Sequence, residues 1–223
     1  MKRQVSLEEI SDGRLYGSRD MARIGCGGCR GCSACCHGMG KSAILDPMDF
    51  YRLGQGQHLS PKYLLESGRI ELNVVDGVIL PNLCMDDEAD ACGFLNEQGR
   101  CSIHASRPGI CRLFPLGRFY EKDGFRYFIQ THECPVPNKT KVRIEKWLEQ
   151  PELFRYEAYI FAWHQFLEQV GALAAGEPDE ERVKNINLYV LQLFFMKPYD
   201  WTENFYTQFD ARLAAARDVL DLQ

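Results

Sequence analysis

The stretch CGGCRGCSACCHG, from Cys26 to Gly38, places five cysteines within thirteen residues. These are Cys26, Cys29, Cys32, Cys35 and Cys36, of which the first four follow at steps of three and the last two are adjacent. A CxxC step lets two thiolates from one turn of chain reach the same metal, and intervening glycines let backbone N–H groups turn toward sulfur. The stretch therefore predicts that bound metal organises this part of the fold.

The later cysteines occur singly. They are Cys84, Cys92, Cys101, Cys111 and Cys134, and the last 89 residues contain none. A zinc ribbon usually offers two CxxC knuckles, whereas single, widely spaced cysteines suit a chain that wraps around a cluster. The loop is similar to the CxxCxxC segment of bacterial ferredoxins, where a distant cysteine supplies the fourth ligand. We therefore predict an iron–sulfur cluster of the [4Fe-4S] type, with zinc and redox-active thiols as the open alternatives.

Composition limits the classes of partner. The chain has 223 residues, 45% of them hydrophobic, and a formal net charge of -5, with no Lys/Arg block of the kind that follows a phosphate backbone. Its longest apolar stretches fall far short of the roughly 20 residues that span a bilayer. The N-terminal segment lacks the apolar core of a secretory signal. We therefore expect a cytoplasmic protein that binds neither nucleic acid nor membrane.

A secreted disulfide framework is the alternative use of ten cysteines. Adjacent residues such as Cys35 and Cys36 can bond to each other only through a strained ring, because the Cα separation of a disulfide exceeds the spacing across one peptide. In a reducing compartment, cysteines more often bind metal or carry redox chemistry. Both arguments favour metal ligands over disulfides.

Turn and helix signals predict short elements in the front part of the chain. The pairs Asp76-Gly77 and Asp123-Gly124, each flanked by apolar alternation, predict two hairpins with type I′ turns. Short helices are expected in DPMDFYRLG, in SPKYLLESG after a Ser60 cap, and between the prolines of RPGICRLFP.

The period changes after about residue 138. Tyr156, Ile160, Trp163, Leu167 and Val170 recur at steps of four and three, which marks one buried face of a helix. Two more helices are expected in DEERVKNINLYVLQLFFM and ENFYTQFDARLAAARDVLDL. We predict an α+β protein with a cysteine-cluster metal-binding domain at residues 24–137 and a helical subdomain at residues 138–223 packed against it.

Charged residues accompany the cysteines. Four arginines, Arg30, Arg100, Arg107 and Arg112, each lie within four residues of a cysteine. A [4Fe-4S] core held by four thiolates is net anionic, and nearby arginines would offset that charge. Ordinary surface ion pairs are the alternative explanation.

The segments CRGCSACC, CGFLNEQGRCSIHASRPGICRLFP and HECPVP together resemble the YkgJ-type cysteine-cluster family, described as zinc- or iron-chelating proteins. The family pattern is CxxCxxCC, then C-x-F-L, C-S-I-x, R-P-x-x-C-R-x-F-P and a cysteine before proline. Its eight cysteines correspond here to Cys29, Cys32, Cys35, Cys36, Cys92, Cys101, Cys111 and Cys134. Cys26 and Cys84 are additions, so all ten cysteines are candidate metal ligands.

The resemblance implies an iron–sulfur or zinc protein. One branch of the family includes flagellin lysine N-methylase, which implies methyl transfer from S-adenosylmethionine to a protein lysine. This sequence has neither a GxGxG turn after a predicted strand nor a CxxxCxxC motif. Enzymatic activity therefore stays open, and the expected partner is a redox protein or a protein substrate.

Overall fold

The computed structural model describes residues 6–27, 32–86 and 88–222. Its strands are β1 (Met21–Gly25), β2 (Ile70–Val75), β3 (Val78–Leu83), β4 (Leu116–Glu121), β5 (Gly124–Ile129) and β6 (Thr140–Arg143). Within the described ranges, these strands form three antiparallel pairs, β1–β6, β2–β3 and β4–β5.

The helices are α1 (Leu7–Ile10), α2 (Pro47–Gln57), α3 (Pro61–Glu66), α4 (Gly109–Leu113), α5 (Ile144–Leu148), α6 (Leu153–Gly176), α7 (Glu180–Leu191) and α8 (Phe205–Val219). Short 3₁₀ turns cover Ala34–Cys36 and His104–Ser106, and a π-helical turn, Gln192–Met196, extends α7. Short hairpins beside a helical C-terminal region confirm the predicted α+β class.

Both predicted hairpins form, but only the first has the predicted turn. Asp76 and Gly77 connect β2 to β3 with φ values of 48° and 85°, the positive values that a type I′ turn requires. In the second hairpin, Glu121 pairs with Gly124, so Lys122 and Asp123 form the turn. Neither has a positive φ, and the type I′ prediction is wrong there because the register places the glycine in the strand.

The short helices begin where the prolines predict. Pro47 and Pro61 are the first residues of α2 and α3, and Pro108 immediately precedes α4. Proline suits these positions because its fixed φ is helical and its missing N–H would be unpaired there. Ser60 occupies the N-cap of α3 as predicted, although its side chain makes no capping hydrogen bond.

The helix α6 buries the predicted face. Trp163 and Val170 are buried, and Phe166 adds a fully buried ring that the predicted face did not include. The Phe166 ring lies 5.6 Å from that of Trp163 and 5.2 Å from that of Phe194, measured between centroids. Aromatic packing therefore fixes α6 against the segment that extends α7.

The larger hydrophobic core is common to both predicted parts of the chain. It joins Phe50 and Leu80 from the front part to Trp163, Phe194 and Phe209 from the helices. Helices α6 and α7 both contact β3, and α8 contacts α2. The C-terminal helices therefore pack directly against elements of the front part of the chain.

A smaller core lies next to the cysteines. It consists of residues from β1, α4, β4, β5 and α5, namely Ala22, Ile24, Leu113, Leu116, Tyr127, Ile144 and Leu148. The strand β6, beyond the predicted boundary after residue 137, pairs with β1. The division into residues 24–137 and 138–223 stays a prediction.

A helix that spans a membrane must be both long and apolar. In the part of the chain that the structure describes, no helix combines the length and apolar character needed to cross a bilayer.

Candidate metal centre

Most of the described cysteines line one cavity. Its volume is about 480 Å³. The thiol-bearing residues in its lining are Cys26, Cys32, Cys35, Cys36, Cys92, Cys101, Cys111 and Cys134. No disulfide joins any two of the described cysteines. The fold therefore brings together thiols that are more than 100 residues apart in sequence.

Short turns and loops present these thiols. Cys26 directly follows β1, whereas Cys35 and Cys36 lie in the 3₁₀ turn. The backbone N–H of Cys92 donates to the carbonyl oxygen of Cys36 at 2.8 Å, which ties the loop of Cys92 to the cysteine-rich turn. Cys111 lies within α4. A backbone hydrogen bond thus joins two of the loops that carry lining cysteines.

The adjacent cysteines differ in their acidity. A hydrogen bond from the Cys36 side chain lowers the pKa of Cys35 to about 6, and the positive charge of Arg107 acts in the same direction. The same bond, together with burial, raises the pKa of Cys36. Cys35 is therefore the thiolate of the pair near neutral pH, and Cys36 keeps its proton.

Three further thiols are held in the protonated form. Burial is the largest cause that raises the pKa values of Cys92, Cys101 and Cys111, and the negative charge of Cys35 raises each of them further. These thiols would repel one another as thiolates. A bound cation relieves such repulsion, because metal binding to cysteine displaces the thiol proton.

Cationic side chains line the same cavity as the thiols. They are those of Arg100, Arg107, Arg112 and Lys146. His104 also lines the cavity, but burial lowers its pKa, so it is not counted among the positive charges. Among the described lining residues the one carboxylate is that of Glu149, whose side chain is 64% exposed and lies 3.6 Å from Arg107 and 3.9 Å from Arg112. Positive charge therefore exceeds negative charge around the thiols. Arg30, the fourth arginine noted in the sequence, lies outside the described residues.

One of the nine described cysteines is not among the lining residues. Cys84 lies outside the lining, and its thiol lies 3.5 Å from the carbonyl oxygen of Met85. Cys29 lies outside the described residues. The assignment of individual cysteines as ligands stays a prediction.

The described thiols line the cavity without forming a finished coordination site. Over residues 6–27, 32–86 and 88–222, no three Cys, His, Asp or Glu side chains stand together as a group that could hold an ion. The thiols line the wall of a common cavity, and metal–sulfur bonds of about 2.3 Å require their side chains to move into it.

A family model identifies the family to which the chain belongs. A family model, CxxCxxCC, described as "Putative zinc- or iron-chelating domain", matches residues 28–140, which is just over half of the chain. The chain belongs to the CxxCxxCC family. This description supports metal binding and covers zinc and iron alike. Comparisons with curated proteins and with solved structures find no match.

The donors in this CxxCxxCC protein fit the metals that the family description names. Thiolates are ligands of zinc and of iron–sulfur clusters, whereas magnesium and calcium prefer oxygen. The eight thiols and the arginines that line this cavity therefore have the chemistry that a thiophilic metal or cluster requires. The residues that would hold it are the eight lining cysteines, with Cys29 as a further candidate.

No pattern in the sequence indicated the apolar residues that line this cavity. Phe114 and Trp147 line it, and the Trp147 indole N–H donates to the carbonyl oxygen of Phe114 at 3.1 Å. Trp147 lies in α5, which the β1–β6 pairing brings beside Cys26. That pairing joins segments more than 100 residues apart, so no local pattern predicts it.

Proposed function

We propose that this CxxCxxCC protein binds an iron–sulfur cluster, of the [4Fe-4S] type, for redox or cluster-assisted chemistry. The observation that carries the proposal is the convergence of eight cysteines on one cavity without a disulfide among the described cysteines. The cluster would serve one-electron exchange with a redox protein, or a reaction on a protein substrate. A reducing compartment such as the cytoplasm suits thiols in this state.

The distribution of the thiols supports a cluster over a single zinc ion. Structural zinc and a [4Fe-4S] cluster each take four protein ligands, so the argument depends on the spacing of the cysteines and not on their number. The eight lining cysteines come from a closely spaced run followed by single, distant residues. Such a distribution is typical of chains that wrap around iron–sulfur clusters.

The charge around the cavity supports the same proposal. A cluster held by thiolates is net anionic, and its reduction adds a further negative charge. The positive charge of Arg107 helps to lower the pKa of Cys35, and Arg112 lines the same cavity. When bound, the cluster would supply the one-electron chemistry, while these arginines would stabilise its negative charge.

Zinc is the second candidate, because the family description names it and an all-thiolate set binds it well. In that case the centre is structural, and the protein binds another protein through its surface. Anaerobic purification separates the two candidates. The cluster predicts a brown protein with visible thiolate-to-iron absorption and with iron and acid-labile sulfide in equal amounts. A colourless protein with stoichiometric zinc would refute the cluster.

Two cysteine variants form a matched pair for this test. Cys101→Ser removes a thiol from the cavity wall, whereas Cys84→Ser removes one that lies outside the lining. We expect Cys101→Ser to lower the metal content per chain and Cys84→Ser to keep it. Equal metal contents in the two variants would contradict the proposed site.

A further inference from the structure

Two carboxylates, those of Asp46 and Asp49, lie at the start of α2. The Asp46 side chain accepts the backbone N–H of Asp49 at 3.0 Å, and the Asp49 side chain accepts the backbone N–H of Asp46, also at 3.0 Å. This reciprocal arrangement is a capping box. Asp49 is only 2% exposed, which is unusual for a carboxylate whose sole task is to cap a helix.

The same carboxylate reaches the helix that carries a cysteine. Asp49 Oδ1 accepts the backbone N–H of Gly109 at 2.7 Å in a buried hydrogen bond. Gly109 is the first residue of α4, and Cys111 lies two residues further along this five-residue helix. The position of Cys111 on the cavity wall therefore depends directly on the contact between Asp49 and Gly109.

The other side of Gly109 is also held. A Cβ atom at this position would lie 2.6 Å from the Tyr156 hydroxyl oxygen, so the start of α4 packs tightly against α6. The Tyr156 hydroxyl in turn accepts a hydrogen bond from Arg118 at 3.1 Å, and the Tyr159 hydroxyl donates to Asp46 at 3.0 Å. The start of α4 is thus fixed between α2 and α6, with Asp49 as its one charged hydrogen-bond partner among the described residues.

We propose that Asp49 is a positioning residue for the metal centre, which acts by holding Cys111 at the cavity wall. This inference rests on the proposed function, because it assigns Cys111 to the centre. The buried hydrogen bond from the N–H of Gly109 to this side-chain oxygen holds α4 in place when the thiols move to bind metal, and its loss would leave a buried N–H without an acceptor. Among the described residues, the Asp49 carboxylate is hydrogen-bonded to backbone N–H groups, and its negative charge, after burial, also raises the pKa of Cys111.

The test compares Asp49→Ala with Asp179→Ala. Asp179 caps α7 and accepts the N–H of Glu181 at 3.0 Å, so this control also removes an aspartate cap, but one outside the cavity lining. Burial and the charge of Asp46 raise the pKa of Asp49 to about 7, and the assays are therefore run at pH 8. Each protein is purified anaerobically with the metal that it holds.

Two measurements are made on the metal-loaded proteins. The first is the rate at which metal passes to a chromophoric chelator, which we expect to rise about tenfold or more in Asp49→Ala and to be unchanged in Asp179→Ala. The second is alkylation of each cysteine, located by mass spectrometry. We expect Asp49→Ala to lose protection of Cys111 first, while Cys101 stays protected.

Asp49→Asn separates the two roles of the side chain. Its amide oxygen can still accept the N–H of Gly109, whereas its NH₂ group cannot accept the N–H of Asp46. We expect this variant to keep Cys111 protected and to release metal within about threefold of the wild-type rate, even though the cap of α2 is weakened. Loss of Cys111 protection in Asp49→Asn equal to that in Asp49→Ala would overturn the proposal.

The other outcomes are also decisive. If Asp49→Ala releases metal as slowly as Asp179→Ala, or if all its cysteines lose protection together, Asp49 is not a positioning residue for Cys111. Those results leave the proposed metal centre intact. Wild-type protein that holds no metal would refute the proposed function, and the inference with it.

Discussion

Gly109→Ala tests the packing that places Cys111 on the cavity wall. The added Cβ would lie 2.6 Å from the Tyr156 hydroxyl oxygen, whereas ordinary contacts begin at 3.4 Å. Tyr156 is only 1% exposed and accepts a hydrogen bond from Arg118, so its ring has no open space to enter. The start of α4 must therefore shift by about 0.8 Å relative to α6.

Two magnitudes follow from this shift. Overpacking of a buried site costs about 1–3 kcal/mol of the free energy of unfolding. The same shift displaces Cys111, two residues further along α4, relative to the other thiols that line the cavity. The Cys111 side chain must then move further to reach a metal–sulfur distance within about 0.2 Å of its ordinary value, which weakens metal binding. We therefore expect Gly109→Ala to lower both the free energy of unfolding and the metal content.

The assay combines urea unfolding, followed by tryptophan fluorescence, with metal analysis of the folded protein. Gly117→Ala is the matched control, because its added Cβ would overlap the Phe128 ring on β5, outside the cavity lining. This control should lose a similar free energy of unfolding and keep its metal. The reasoning is refuted if Gly109→Ala keeps the wild-type metal content and unfolds within about 0.5 kcal/mol of wild type.

Two further predictions concern the core and the vicinal thiols. Phe166→Ala removes a fully buried ring and should lower the free energy of unfolding by about 3–5 kcal/mol. Phe154→Ala changes a side chain that is 87% exposed and should alter the free energy of unfolding by less than about 0.5 kcal/mol. Equal urea midpoints for the two variants would contradict the aromatic core. In metal-free, reduced protein, alkylation of Cys35 by iodoacetamide should slow as the pH falls through about 6, because only the thiolate reacts and its pKa is lowered, while Cys36 reacts little. A midpoint near the usual cysteine value of about 8.5 would contradict the hydrogen bond between them.

The sequence predicts the elements whose signals are local. The spacing of Tyr156, Ile160 and Trp163 marks α6, and Asp76-Gly77 marks the turn between β2 and β3, because helix periodicity and positive φ values depend on neighbouring residues. The same holds for α4, which lies between prolines. The cysteine spacing likewise predicts which residue type forms the site.

Pairings between distant segments could not be predicted. The β1–β6 ladder and the core common to both predicted parts join residues more than 100 positions apart. No sequence pattern singled out Asp49, since nothing in its neighbourhood indicates the bond to Gly109, 60 residues away. The arginines near the cysteines were noted from the sequence, but Trp147 in the same cavity was not.

X-ray absorption at the metal edge of anaerobically purified protein tests most directly whether cysteine sulfur holds metal in this cavity. We predict a first shell of sulfur at about 2.3 Å, with iron as the absorbing metal and further iron atoms beyond the sulfur shell. Cys101→Ser should lose part of that sulfur shell, and Cys84→Ser should keep it. A shell of nitrogen and oxygen ligands at about 2.0–2.2 Å, or a protein that carries no metal, would contradict the account.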